Sequence, residues 1–123
     1  MLLPSSDHPI TIAPHPRRVR VRFAGRTIAD TTRALSLTEA SYPPVLYIPR
    51  EDADMGALKA SAHRTYCPYK GDASHLTIEV NGRSAENAVW SCEQPFEAVA
   101  QIAGFIAFHP HKVDAIEQAD LGA

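Results

Sequence analysis

Arg18-Val19-Arg20-Val21-Arg22-Phe23 decides the fold class of this chain. Val19, Val21 and Phe23 alternate strictly with three arginines, which is the period of a strand with one face buried and the other in solvent. Ala24-Gly25 then turns the chain. Thr27-Ile28-Ala29-Asp30-Thr31 and Ala34-Leu35-Ser36-Leu37-Thr38 alternate in the same way, so the first half is predicted to be an antiparallel meander. Val45-Leu46-Tyr47-Ile48 follows Pro43-Pro44 as a further strand. On the N-terminal side, Met1 to Pro16 is rich in Pro, His and Ser and reads as an arm over the surface, anchored by Ile10 and Ile12.

Downstream, Asp54 is placed to cap a short helix through Leu58, which Gly56 weakens by about 1 kcal/mol relative to alanine. Arg64 to Tyr69 and Leu76 to Val80 flank the turn Cys67-Pro68-Tyr69-Lys70-Gly71, and Asn81-Gly82 is a hairpin signal into a strand ending at Val89-Trp90. The second half is therefore predicted to be another meander. Pro95 can open a helix with Phe96, Val99, Ala100 and Ala103 on one apolar face and Gly104 to end it. Phe105 to Phe108 reads as a last strand, and Lys112 to Ala119 as a terminal helix or a frayed tail. The sum is an α+β fold, mainly β, in one compact domain.

Composition narrows the function classes. With 123 residues and 45% hydrophobic content the chain suits one core, and a formal charge of −2 argues against a nucleic-acid binder that relies on bulk charge. Without interleaved aromatics, the Arg18, Arg20 and Arg22 stripe reads as a solvated face. Met1-Leu2-Leu3 is too short and lacks the basic start of a secretory signal, and no run approaches a membrane span, so a cytoplasmic protein without membrane contact is expected. Cys67 and Cys92 form no Cys-x-x-Cys pair and read as free thiols.

The chemistry concentrates in Thr65-Tyr66-Cys67-Pro68-Tyr69-Lys70-Gly71. Pro68 presets the first inner position of a turn and Gly71 permits its tight exit, which places a thiol and an ammonium at opposite ends. One reading makes Cys67 a nucleophile whose thiolate is favoured by Lys70. His63 would lie about 13 Å away along a continuous strand at roughly 3.3 Å per residue, so His75, across the hairpin, is the better-placed base. The plain alternative is a packed thiol. A second reading makes the turn a ligand clamp: Lys70, with Arg33 or Arg50, meets an anionic group, while Tyr47, Tyr69 or Trp90 covers a flat part and Thr65 and Glu39 serve the pocket. Against it stand surface ion pairs for the cations, Glu39 with Arg33 among them, and core packing for Trp90 and Tyr47. His109-Pro110-His111 has no third ligand nearby, and no metal is assigned.

Beyond these motifs, Val21-Arg22-Phe23 with Ala29-Asp30, Arg33-Ala34-Leu35, Glu39, Tyr47-Ile48-Pro49-Arg50-Glu51-Asp52, the Thr-x-Cys-Pro-x-Lys-Gly turn, Ala88-Val89-Trp90 and Ile102-Ala103-Gly104-Phe105-Ile106-Ala107-Phe108 occur in an order that resembles the domain-of-unknown-function family 427. The resemblance runs from about His8 to Val113. It implies a β-tent-like fold of antiparallel meanders with short helices, divided here into an arm (1–16), a family core (17–113) and a tail (114–123). It also carries a nucleotidyltransferase-like label. The chain departs from the family pattern at His75, Cys92 and His109, where aromatic residues are usual, so any pocket is richer in imidazole. The functional expectation is a small-molecule or nucleotide pocket centred on the Cys-Pro-Tyr-Lys-Gly turn, with a Cys67 thiol enzyme or a protein-interaction module as alternatives. The residues identify no cofactor and no oligomeric state.

Overall fold

A computed structural model describes residues 1–121. The alternating arginine segment is strand β2 (Arg17–Phe23), preceded by β1 (Ile10–Pro14) and followed by β3 (Arg26–Thr31), β4 (Leu35–Glu39) and β5 (Val45–Tyr47). The second half adds β6 (Leu58–Cys67), β7 (Gly71–Val80), β8 (Arg83–Ser91), β9 (Ala107–Phe108) and β10 (Ala115–Asp120). They form three antiparallel sheets, ordered β1-β4-β5, β10-β2-β3 and β6-β7-β8-β9.

The alternation in β2 does what its period demands. Val19, Val21 and Phe23 are buried, with the arginines between them outside. Ala24-Gly25 and Asn81-Gly82 make their turns with both residues at positive φ, the geometry that closes two-residue hairpins. The second meander, β6 to β9, forms in the expected order.

The first meander does not continue as expected. β3 and β4 are not paired; β4 lies between β1 and β5. Thr31 closes β3 with its side chain, donating its hydroxyl to Asp52 at 2.7 Å and accepting the Arg33 N–H at 2.9 Å, and the chain leaves the sheet there. The arm is in part a strand, because β1 pairs with β4 from Ile10↔Glu39 to Pro14↔Leu35. Ile10 and Ile12 do anchor it, against a core formed by Leu37, Tyr47, Ala73, Cys92, Val99, Ile102 and Ala107. The larger core joins β2, β3, β7 and β8 through Val19, Val21, Phe23, Ile28, Ile78 and Val89.

The helical part of the expected α+β class shrinks to 3-10 turns, and the protein is mainly β. Asp54 precedes the turn Met55–Ala57 but makes no side-chain cap; its carboxylate pairs with Arg26 instead. The segment after Pro95 is a 3-10 stretch, Glu97–Ile102, kinked at Val99. Val99 and Ile102 are its buried residues, and a three-residue spacing returns them to one side when a turn holds about 3.0 residues. The expected terminal helix or tail is β10, which covers the free edge of β2 from Ala115↔Arg22 to Asp120↔Arg17. Pairing that edge satisfies its backbone donors and acceptors, which overrides a weak local preference. Gly122 and Ala123 of the expected tail lie outside the described residues.

Candidate functional site

The turn between β6 and β7 is closed by the Lys70 N–H, which donates to the Cys67 carbonyl at 3.2 Å with Pro68 and Tyr69 between them. Gly71 leaves the turn at φ +102°, a conformation that strains any residue with a Cβ. The Phe96 N–H donates to the Lys70 carbonyl at 3.0 Å and ties the turn to the segment after β8.

Register then assembles one face of the sheet. Thr65 pairs with Ala73, Cys67 with Gly71, His75 with Trp90 and Trp90 with Ala107. Because strand side chains alternate, Thr65, Cys67, His75 and Trp90 point to the same side. His75 is only 7% exposed. Its Nε2 lies 2.9 Å from the Thr65 hydroxyl, its ring meets His63 at 4.6 Å between centroids, and its Nδ1 has no hydrogen-bond partner among the described residues. Burial, helped by His63 and Lys112, pushes the pKa of His75 down, which favours the neutral imidazole. Trp90 donates its Nε1–H to the Tyr47 hydroxyl at 3.3 Å, and the two rings meet edge to face. His109 packs against Trp90 with centroids 4.4 Å apart and the rings tilted by 40°. Tyr47 is 1% exposed, and burial raises its pKa.

At the turn end of this face lies a charged network. Lys70 Nζ donates to Glu39 Oε1 at 2.6 Å, and the second carboxylate oxygen meets His8 Nε2 at 2.7 Å. Burial alone would raise the Glu39 pKa, but the hydrogen bonds from Lys70 and His8 outweigh it and hold the carboxyl low. For Lys70, burial works downward and is overcome by the bond to Glu39, so its pKa is raised. Both groups are therefore charged at neutral pH, and the ionised carboxylate accepts from His8. The His8 ring also stacks on Tyr69, with centroids 3.9 Å apart and planes 7° from parallel.

Residues 11–119 match the family described as Domain of unknown function (DUF427). The chain belongs to the DUF427 family. No curated protein matches it. The matched segment of this DUF427 domain runs through nearly all of β10, so the terminal strand is part of the family unit, while His8 precedes it.

Of the residues singled out in the sequence, the DUF427 fold gathers Thr65, Cys67, Tyr69, Lys70, His75, Glu39, Tyr47 and Trp90 around the turn and its sheet face. Arg33 is elsewhere, bonded to Glu51 and Asp52 at 3.2 Å each, so the expected Glu39–Arg33 pair is replaced by Glu39–Lys70. Arg50 donates to the Gly104 carbonyl at 2.6 Å, a bond between loops. Cys67 is half-buried, and His75 is bonded to Thr65 rather than to the Cys67 thiol. Cys92 is 1% exposed, and burial pushes its thiol pKa up. His109 and His111 are in ring contact, and among the described residues no three His, Cys, Asp or Glu side chains are arranged to hold a metal ion. Sequence reasoning missed His8. Its contact with Glu39 depends on the pairing of β1 with β4, for which the arm carries no local signal beyond Ile10 and Ile12.

Hollows open beside this sheet among the described residues. An apolar cleft of about 260 Å³ is lined by Val21, Leu46, Ile48, Trp90, Phe108 and Ile116, among others. A polar one of about 330 Å³ is lined by Arg64, Asp72, Ser74, Glu93 and Gln94 and opens on the side of β7 opposite His75. Trp90 is thus shared between the imidazole face and the apolar cleft, whereas Lys70 and Cys67 line neither hollow.

Proposed function

We propose that this DUF427 domain binds a small molecule or nucleotide at the Cys67–Gly71 turn. The observation that carries the reading is His75: a side chain more than nine-tenths buried, with Nδ1 unpaired, on the same sheet face as Thr65, Cys67 and Trp90. Leaving such an atom unsatisfied costs about 1–3 kcal/mol, which a ligand group hydrogen-bonded to it recovers. Tyr69 and Trp90 supply flat faces for a ring, and Lys70 supplies the positive charge, already balanced by Glu39.

The nucleotide half of this reading rests on the family's nucleotidyltransferase-like label, and the three sheets are taken as the β-tent-like arrangement the resemblance implies. Two free thiols suit a cytoplasmic protein. Catalysis is not assigned, because the His75 Nε2 is engaged by the Thr65 hydroxyl rather than by the Cys67 thiol.

The test is a panel of nucleotides and organic acids scored by ligand-induced rise in Tm for wild type, Lys70→Ala and His75→Phe. A ligand at about one hundred times its Kd stabilises by about 2.7 kcal/mol, well within reach of a melting experiment. The proposal expects a rise that is lost in both variants, and an undiminished rise in Lys70→Ala removes the turn from the site.

A further inference from the structure

The first nine residues lie across the turn. The Leu2 N–H donates to the Pro68 carbonyl at 2.7 Å, and at the other end of the segment the Ala40 N–H donates to the Pro9 carbonyl at 2.8 Å. Between them Ser5 and His8 exchange backbone hydrogen bonds of 3.2 and 3.1 Å, a small closed turn that presents the His8 side chain. That side chain stacks flat on Tyr69 and bonds to Glu39.

We propose that residues 1–9 form a removable strap whose His8 ring occupies the ligand's seat. The seat then takes a planar nitrogen heterocycle that stacks on Tyr69 and donates a ring N–H to Glu39. The inference rests on the reading of this turn as a binding site and names the ligand class for it.

Four features argue for it. The contacts of His8 are those a small heteroaromatic ligand makes: a parallel stack at 3.9 Å and a charge-assisted hydrogen bond at 2.7 Å. Glu39 is aimed beforehand, because Lys70 holds its other oxygen, and a carboxylate only accepts, so it selects rings with N–H donors over rings with acceptors alone.

The strap is also weakly held. Met1, Leu2 and Leu3 are 71%, 50% and 66% exposed, so little apolar burial opposes its release. Finally, the sheet does not need it. β1 begins at Ile10, whose pairing with Glu39 leaves that carboxylate in place when the strap lifts.

The experiment titrates imidazole, guanosine and thiazole into the full chain, followed by NMR shifts of the Tyr69 and Lys70 amides. Thiazole is a flat ring of similar size without an N–H. A seat occupied nine-tenths of the time by its own strap binds about tenfold more weakly than a free one. His8→Ala is therefore expected to bind imidazole and guanosine about tenfold more tightly than wild type, with thiazole showing no comparable gain. Leu2→Pro, which removes the N–H donated to Pro68 without touching the seat, shifts affinity in the same direction by less. Adding Glu39→Gln to His8→Ala reverses the gain.

Equal affinity in wild type and His8→Ala overturns the strap, and equal gains for imidazole and thiazole overturn the ligand class. If no ring binds either chain, the inference fails. A Lys70-dependent rise in Tm from another class of compound would still leave the binding-site reading standing.

Discussion

Two rows of polar side chains run along strands of this protein, and they are built differently. On β2, Arg18 and Arg20 reach the Asp30 carboxylate at 2.7 and 3.3 Å and Arg22 reaches Thr27 at 3.1 Å, all on a face open to solvent. On β6 and β7, His63, Thr65 and His75 form a row that ends in a nearly closed environment, where one imidazole nitrogen has no partner among the described residues. The arginine row has the higher charge and the plainer explanation: water and neighbouring carboxylates satisfy it, so each pair contributes little. The imidazole row carries less charge and more information, because a buried polar atom left unpaired is costly and calls for a reason. Density of charge along a strand is therefore a poorer guide to a site than incomplete pairing in a buried place.

The comparison breaks first at Lys70. Among the described residues, Lys70→Met leaves Glu39, whose side chain is 16% exposed, with His8 as its one remaining side-chain partner, and is expected to cost about 2–3 kcal/mol in urea unfolding at pH 7. A loss below about 1 kcal/mol would put this pair in the same class as the surface arginines.

The second difference is in pH. His75 has a folded pKa below its ordinary 6.5, so the unfolded chain binds its proton first as pH falls. Stability contributed by the neutral ring is complete above pH 6.5 and is lost as pH drops toward the lowered value. His109, lowered first by burial and then by Lys112 and His111, adds in the same direction. Glu39 acts later: its depressed pKa gives stability that is present above 4.5 and fades as pH falls through the lower folded value. His75→Phe is expected to flatten the stability curve just below pH 6.5 while leaving the Glu39 limb unchanged. A curve of unaltered slope would show that the buried ring does not govern this range.

The smallest effect belongs to the arginine row. Arg20→Ala is expected to cost less than about 1 kcal/mol, and less still in high salt, because Asp30 keeps Arg18 as a partner. A larger loss in thermal or urea unfolding would mean that the solvent-facing row carries structural weight after all.

Much of the strand content is legible where local pattern and tertiary need agree. β2 declares itself by strict alternation, the β7–β8 hairpin by Asn81-Gly82, and the turn at the site by Pro68 and Gly71. Legibility fails where a segment has no period of its own. Ala115-Ile116-Glu117-Gln118-Ala119-Asp120 could follow several local preferences, and the unfilled edge of β2 makes it a strand. The apolar spacing from Phe96 to Ala103 fits an α-helix, yet the backbone is pinned by the Phe96 bond to Lys70 and the Gly104 bond to Cys92, and a kinked 3-10 path results. At the site, Thr65, Cys67 and Lys70 were readable because they lie within one turn. Glu39 could be named, but its partner could not, since 31 residues separate it from both Lys70 and His8.

By itself, the sequence determined a mainly β protein, the position of its hairpins and the chemistry concentrated at one turn, because alternation, turn residues and nearby functional groups are local properties. Tertiary structure alone decided that β1 and β10 would complete two sheets, that Arg33 and Arg50 would be spent on loops, and that His8 would lie on Tyr69 against Glu39. Those outcomes depend on which strand edges and carboxylates remain unpaired once the rest of the chain has folded, and a donor finds its acceptor across distances that no sequence window spans.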